Sequence, residues 1–289
     1  MEKEGLQGAD TTPLLEHKSN KYLTLSIQKS PQTSFLKSKV PPFYEGASKM
    51  PLWVITGANR GLGLEFVTQL STNPSNTIIA TTRTLTSDLT SLRALESKNS
   101  KVHILECDTG SESSIYSFAK QVTELLNASS ETKIDFLLNN AGINSVSQEK
   151  ALSMTAEGLN DQMRINVLGP AKIVENLLPH LKEGSVVMNM TSGIGSLAYS
   201  SESEMTKCTT YCISKVALNM LTVHQAKELR ERGVTVFCMD PGWVKTRMGG
   251  EGAVLEKEVS IKGMLEVLGR VGVDKSGRFY EWNGVEKAW

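Results

Sequence analysis

The chain has 289 residues, 39% hydrophobic and 21% charged, with 31 basic and 31 acidic side chains. This is ordinary globular composition with ample material for a core, and it excludes wholesale disorder and collagen-like or coiled-coil fibres. A formal net charge of zero gives no electrostatic reason to expect nucleic acid or an anionic membrane as the main partner.

Residues 1–49 differ from everything after them, with ten Ser or Thr, four Pro, seven Lys and no Arg. Their few apolar residues show no sustained period, so the segment cannot offset its chain entropy by burial and is expected to be a disordered, dispensable extension. It lacks the apolar core of a secretory signal, and acids such as Glu2, Glu4, Asp10 and Glu16 argue against a mitochondrial presequence. A domain is expected over 50–289.

From Met50 onward, short runs rich in β-branched residues fall at 52–56, 77–82, 102–107, 134–139, 185–190 and 234–239. Between most of them lie stretches with helical spacing, at 62–70, 113–126 and 210–232. A helix over 260–268 and a strand over 277–282 close the chain. Alternating strand and helix implies parallel pairing through right-handed crossovers. Strands covered on both faces read as continuous apolar runs, as these do. The fold class is α/β, a single Rossmann-type doubly wound parallel sheet with helices on both faces.

Directly after the first strand stands Thr56-Gly57-Ala58-Asn59-Arg60-Gly61-Leu62-Gly63, followed by a helix. Glycine admits a pyrophosphate to the backbone, and a helix start offers free N–H groups and a positive dipole end. In this context the turn marks a dinucleotide site. The ribose of such a cofactor meets the end of the second strand, here Thr81-Thr82-Arg83. A carboxylate there would select NAD. Instead Arg83, with Arg60 in the turn, offers cations suited to a 2′-phosphate, which favours NADP(H).

The spacing G-x-x-x-G-x-G resembles that of the short-chain dehydrogenases/reductases, and four further motifs match that family in order. They are Asn139-Asn140-Ala141-Gly142 after the fourth strand, Asn166 within a long helix, Ser192 after the fifth strand, and Tyr211 with Lys215. The last two share a helix face. The resemblance implies that Asn140, Ala141 and Gly142 make room for the nicotinamide ribose and that Asp108 contacts the adenine. A helix N-cap is the alternative role for Asp108. It implies that Asn166 holds a water extending a proton relay and that Ser192, rather than Thr191 or Ser196, orients the substrate carbonyl. Pro241, Gly242, Val244 and Thr246 then face the nicotinamide and phosphates, and a Gly-rich loop to about Val254 forms a lid. The chain's ending resembles the carbonyl-reductase-like subgroup that includes sniffer and the bacterial C-factor.

These residue types suit hydride transfer. A phenol with pKa about 10 is a poor acid–base at neutral pH. The Lys215 ammonium and the positive charge of an oxidised cofactor are expected to lower it. Tyr211 would then protonate the alkoxide in reduction and take the proton in oxidation. The expected activity is NADP(H)-dependent oxidoreduction of a ketone, aldehyde or secondary alcohol. A non-catalytic NADP(H)-binding regulator and an epimerase or dehydratase acting on nucleotide sugars are the rivals.

The four histidines (His17, His103, His180, His224) form no ligand pair, so no metal is expected. Residues 184–201, the longest uncharged stretch, carry too many Ser, Gly and Asn for a membrane helix. The scattered cysteines, Cys107, Cys208, Cys212 and Cys238, read as reduced thiols of a cytoplasmic protein, with Cys208 and Cys212 open to oxidation. The family resemblance implies a homodimer or homotetramer through the helices around Asn166 and Ser214, although the family also contains monomers.

Overall fold

Seven parallel strands make one sheet in the computed structural model, which describes residues 50–99, 101–128 and 133–289. The expectations for residues 1–49 lie outside the described residues. The strands are β1 (Leu52–Ile55), β2 (Thr77–Thr82), β3 (Val102–Glu106), β4 (Phe136–Asn139), β5 (Val186–Met190), β6 (Thr235–Asp240) and β7 (Phe279–Glu281). They stand side by side in the order β3-β2-β1-β4-β5-β6-β7. Every residue of β1, β5 and β6 is buried, the physical reason these strands read as largely apolar runs.

Successive strand residues feed opposite faces, as the two-residue strand period requires. Ile55, Ile78, Met188 and Phe237 enter one core cluster, and their neighbours Val54, Ile79, Val187 and Val236 enter the other. The first cluster is covered by α1 (Gly61–Leu70), α2 (Thr90–Lys98) and α8 (Lys257–Leu268) through Phe66, Leu92, Ile261 and Met264. On the second, α3 (Glu112–Ala128) contributes Phe118 and Val122, α5 (Gly169–Leu177) contributes Ile173, and α7 (Thr209–Glu228) contributes Ala226.

The helix expected around Asn166 is not one continuous α-helix. It consists of α4 (Ala156–Met163), a π turn over Arg164–Leu168, and α5. The expected helix over 210–232 ends earlier, as α7 followed by a 3₁₀ turn at Arg230–Arg232, which Gly233 terminates with φ +68°. Two short helices, α2 and α6 (Leu197–Glu202), are additions to the expected pattern. Their single buried side chain (Leu92) and none, respectively, leave too little apolar periodicity to read. Because all strands are parallel, their carboxyl ends share one edge, where open α/β sheets bind ligands.

Candidate active site

The glycine turn leaves β1 and is held by its neighbours. Gly57 turns with φ +66°, a conformation L side chains rarely adopt. Its N–H donates to the Thr81 Oγ1 at 3.3 Å, and the Ala58 N–H donates to the Thr81 carbonyl at 2.6 Å. At Gly63 the constraint is close approach, since a Cβ there would stand 2.2 Å from the Gly57 carbonyl oxygen and 2.7 Å from the Asn140 Nδ2. The segment after β4 is tied to the same turn. Thr56 Oγ1 accepts from the N–H groups of Asn140 and Ala141, both at 3.0 Å. The Asn140 Nδ2 in turn donates to the Thr56 and Gly57 carbonyls at 2.8 and 3.2 Å. Deeper in, the Asn139 Nδ2 donates to the Asn189 Oδ1 at 2.8 Å, fastening β4 to β5. Gly57, Asn59, Arg60, Gly61, Leu62, Gly63, Asn140, Ala141 and Gly142 thus come together around the start of α1.

Arg60 and Arg83 are both exposed, and they share their surroundings with a third arginine that the sequence motifs do not single out. The Arg60 guanidinium is held below its ordinary value by partial burial, then by the like charges of Arg247 and Arg83. Thr246 places Arg247 there, because its Cγ2 lies 3.9 Å from where a Cβ on Gly61 would sit. Nearby lysines have acidic partners, Lys245 with Glu256 and Lys257 with Glu65. Among the described residues, no carboxylate forms an ion pair with any of these three arginines. Three guanidiniums without a carboxylate ion pair beside a helix start give this edge a locally positive field. Asp108 is not the N-cap of α3: its Oδ1 accepts from the Gly110 N–H at 2.9 Å, while Ser111 Oγ accepts from Ser114 N–H at 3.3 Å and fills the cap position.

Ser192 and Tyr211 meet at the carboxyl edge of β5, where the serine hydroxyl is close enough to favour the ionised phenol. Thr191 and Ser196 are engaged elsewhere. Thr191 Oγ1 donates to the Asn219 Oδ1 at 2.6 Å, and Ser196 Oγ donates to the Ala288 carbonyl at 2.8 Å. One turn along α7, Lys215 is 3% exposed and donates from Nζ to the Met190 carbonyl at 2.7 Å. That Nζ lies 5.5 Å from the Tyr211 ring centroid. Burial lowers the Lys215 ammonium to about 8.

Of the two charges expected to lower the Tyr211 phenol, the Lys215 ammonium does not do so within the chain itself. The phenol is raised above its ordinary value, chiefly by burial and then by the carboxylate of Asp240, with only the Ser192 hydroxyl pulling it down. Burial disfavours the phenolate, and one N–H of the Lys215 ammonium is directed to the Met190 carbonyl.

Asn166 sits in the π turn, fully buried. Its Nδ2 also donates to Ser214 Oγ at 3.0 Å, so the amide links the turn to α7. A Cβ on Gly142 would stand 3.2 Å from the Asn166 Oδ1 and 3.6 Å from the Lys215 Nζ, leaving no side chain room between them.

Beyond β6, Gly242 N–H donates to the Asp240 Oδ1 at 3.0 Å, shaping the turn at Pro241. Val244 pairs with Leu255, and Thr246 Oγ1 accepts from the Gly249 N–H at 3.1 Å. The expected lid is anchored by Trp243, whose Nε1 donates to the Gly249 carbonyl at 2.8 Å. Met205 lines a cavity of about 500 Å³ together with Leu152, Lys150, Lys207 and Cys212. Cys208 adopts φ +61°, and its Sγ donates to the Ser147 carbonyl at 3.2 Å. Burial and the neighbouring Cys208 push the Cys212 thiol up to about 11, far from the thiolate an oxidant attacks.

Residues 52–253 match the family model of the short chain dehydrogenases. Among known proteins, the C-signal protein of Myxococcus xanthus is 35% identical over 161 residues, covering 54% of this chain and 93% of that one. The short-chain dehydrogenase/reductase atnB of an Arthrinium species is 30% identical over 210 residues, covering 68% and 76%. Among solved structures, the NADPH-bound carbonyl reductase from chicken fatty liver superposes with a TM-score of 0.77 at 31% identity. The carbonyl reductase Sniffer of D. melanogaster gives 0.76 at 26%. Both cover 83% of this chain and 100% of their own.

Proposed function

The chain belongs to the short-chain dehydrogenase family, and on that premise we propose that it is an NADP(H)-dependent oxidoreductase interconverting a ketone or aldehyde with its alcohol. The observation that carries the reading is the Lys215 Nζ 5.5 Å from the Tyr211 ring, with the Ser192 hydroxyl beside that phenol, at the edge that also bears the glycine turn.

A phosphorylated dinucleotide fits the residues present. A Cβ at Gly63 would fill the cradle, and Arg60, Arg83 and Arg247 offer uncompensated charge for a 2′-phosphate. Gly57, Asn59, Gly61 and Leu62 would hold the pyrophosphate, and Asp108 the adenine. Asn140, Ala141, Gly142, Lys215, Pro241, Gly242, Val244 and Thr246 would surround the nicotinamide end. Bound there, NADP(H) supplies or accepts the hydride, and its oxidised form adds a positive charge to the site.

The chain's own groups handle the proton. Tyr211, kept protonated by its surroundings, is the general acid that delivers a proton from Oη to the carbonyl oxygen during reduction. Ser192 donates a hydrogen bond to the same oxygen and fixes its position. Lys215 grips the ribose and opposes the negative charge the phenol acquires. Asn166 keeps the segment after β4 and the start of α7 in register. The cavity beside Cys212 and Met205 is read as part of the substrate's surroundings. Four free cysteines support a reducing, cytoplasmic setting; no described helix is long and apolar enough to cross a membrane.

The test is consumption of NADPH by the purified chain over a panel of aldehydes and ketones. Turnover of at least one carbonyl, with NADPH preferred to NADH, is the expected result. Tight NADPH binding with no turnover of any carbonyl would instead favour a regulatory binding protein.

A further inference from the structure

Asp240 ends β6 with its carboxylate turned into the site rather than to solvent. Its side chain is 7% exposed, and its Oδ2 lies 2.7 Å from where a Cβ on Gly193 would stand, against the backbone that follows Ser192. A carboxylate this buried is costly unless paired. Its partner comes from the far end of the chain, where the Lys287 Nζ lies 3.3 Å from the Asp240 Oδ2.

The C-terminal segment is built to keep that lysine there. The Lys287 N–H donates to the Phe279 carbonyl at 2.8 Å, and Glu286 bridges to Tyr280. Beyond it, the Ala288 carbonyl accepts from Ser196 Oγ at 2.8 Å, and the Trp289 carbonyl accepts from the Ala198 N–H at 3.0 Å. The Trp289 ring stacks on Phe279 with centroids 5.5 Å apart. The segment thus spans from β7 to α6, alongside the turn that carries Ser192, and the Lys287 Nζ also lies 5.7 Å from the Tyr199 ring centroid.

We infer that Lys287 and Asp240 are positioning residues of the reaction: the C-terminal segment delivers a cation that neutralises the carboxylate behind Ser192 and so sets the charge facing the Tyr211 phenol. The charged and titratable groups around Tyr211 are few. Lys215 and Cys212 come from α7, Cys208 from the residue before it, Asp240 from β6, and Lys287 reaches Asp240 from the C-terminal segment. Glu286, beside Lys287, is paired with Arg278. Asp240 is the acidic group that acts on the phenol, and it raises it. Removing Lys287 therefore leaves a bare negative charge and makes the phenolate harder to form. Neutralising Asp240 does the reverse.

The inference rests on Tyr211 being the acid–base group, so the test reads its ionisation directly. Ultraviolet phenolate absorbance is titrated against pH in protein saturated with oxidised NADP, and the Tyr211→Phe trace is subtracted. Lys287→Met is expected to move the midpoint up and Asp240→Asn to move it down. Each shift should be about one to two pH units, as a unit charge about 6–12 Å away imposes at an effective dielectric of about 20. The double variant should return towards wild type, and Lys287→Arg should leave the midpoint in place. Asp240→Asn keeps an oxygen to accept from the Gly242 N–H, which protects the turn. Midpoints that ignore both substitutions, or that move the same way in both, overturn the inference. Carbonyl turnover that survives Tyr211→Phe would instead overturn the acid–base reading, and the midpoints would still report whether the charge coupling exists.

Discussion

Asn166 grips Ile143 by both backbone groups: its Oδ1 accepts from the Ile143 N–H at 2.8 Å and its Nδ2 donates to the Ile143 carbonyl at 2.9 Å. This two-point clamp, closed by the bond to Ser214, explains why a fully buried amide is retained in a π turn. Asn166→Ala would orphan the Ile143 N–H and take one donor from its carbonyl. Each lost buried bond costs about 1 kcal/mol, and unsatisfied partners cost about 1–3 kcal/mol. A destabilisation of about 2–4 kcal/mol is expected by urea denaturation, with turnover falling more than NADPH affinity. Unchanged stability would show that the clamp contributes nothing.

Gly63→Ala introduces a Cβ 2.2 Å from the Gly57 carbonyl oxygen, so the turn must shift. Overpacking of this kind costs about 1–3 kcal/mol, or roughly a 5- to 150-fold loss in affinity if expressed in binding. Quenching of NADPH fluorescence measures it. Gly250→Ala is the control, because nothing lies within 4 Å of its Cβ and only the strain of φ +67° applies. It should leave NADPH affinity within about threefold, equivalent to less than about 1 kcal/mol.

Arg60, Arg83 and Arg247 should each matter for NADPH and little for NADH. Replacing any one by Ala is expected to weaken NADPH about tenfold, the loss of one charge-assisted contact of about 1.4 kcal/mol. The preference for NADPH should also decline as salt rises, because all three guanidiniums are exposed. Equal losses for both cofactors would mean that the cluster does not read the 2′-phosphate.

Lys215 carries a stability cost with a definite pH window. Its folded value of about 8 lies below the ordinary 10.5, so between those values the unfolded chain binds the extra proton and folding is favoured as pH rises. Below about pH 8 the full penalty, about 3 kcal/mol, is present. Lys215→Met removes the penalty along with the hydrogen bond to Met190. The variant should be more stable than wild type at pH 7 by about 1–3 kcal/mol, with the gap shrinking from pH 8 towards 10. Parallel urea denaturations across that range check it. A gap that is constant with pH would show that the buried ammonium is not destabilising.

Much of this was legible in the chain because local pattern and global position agree. Strands such as β5 and β6 read as apolar runs since both faces are covered, and the glycine turn, Ser192, Tyr211 and Lys215 stand at fixed offsets from strand ends. What escaped depends on contacts between distant segments. The π turn at Asn166 is stabilised by Ile143 and Ser214, neither of which marks it locally. Arg247 joins Arg60 only because the segment after β6 folds back on the glycine turn. The Asp240–Lys287 pair joins β6 to the chain's end, and within the chain burial and that carboxylate raise the Tyr211 phenol while the Lys215 ammonium is turned toward Met190.

The central claim is that the Tyr211 hydroxyl carries the proton for carbonyl reduction. Tyr211→Phe deletes that hydroxyl alone, and the comparison to make is NADPH-dependent reduction of para-nitrobenzaldehyde by the two proteins, alongside NADPH binding measured by fluorescence. The account predicts that binding stays within about threefold, while turnover falls by about 10²–10⁴, the contribution of a positioned acid. Turnover that persists in the variant at the wild-type rate would contradict it.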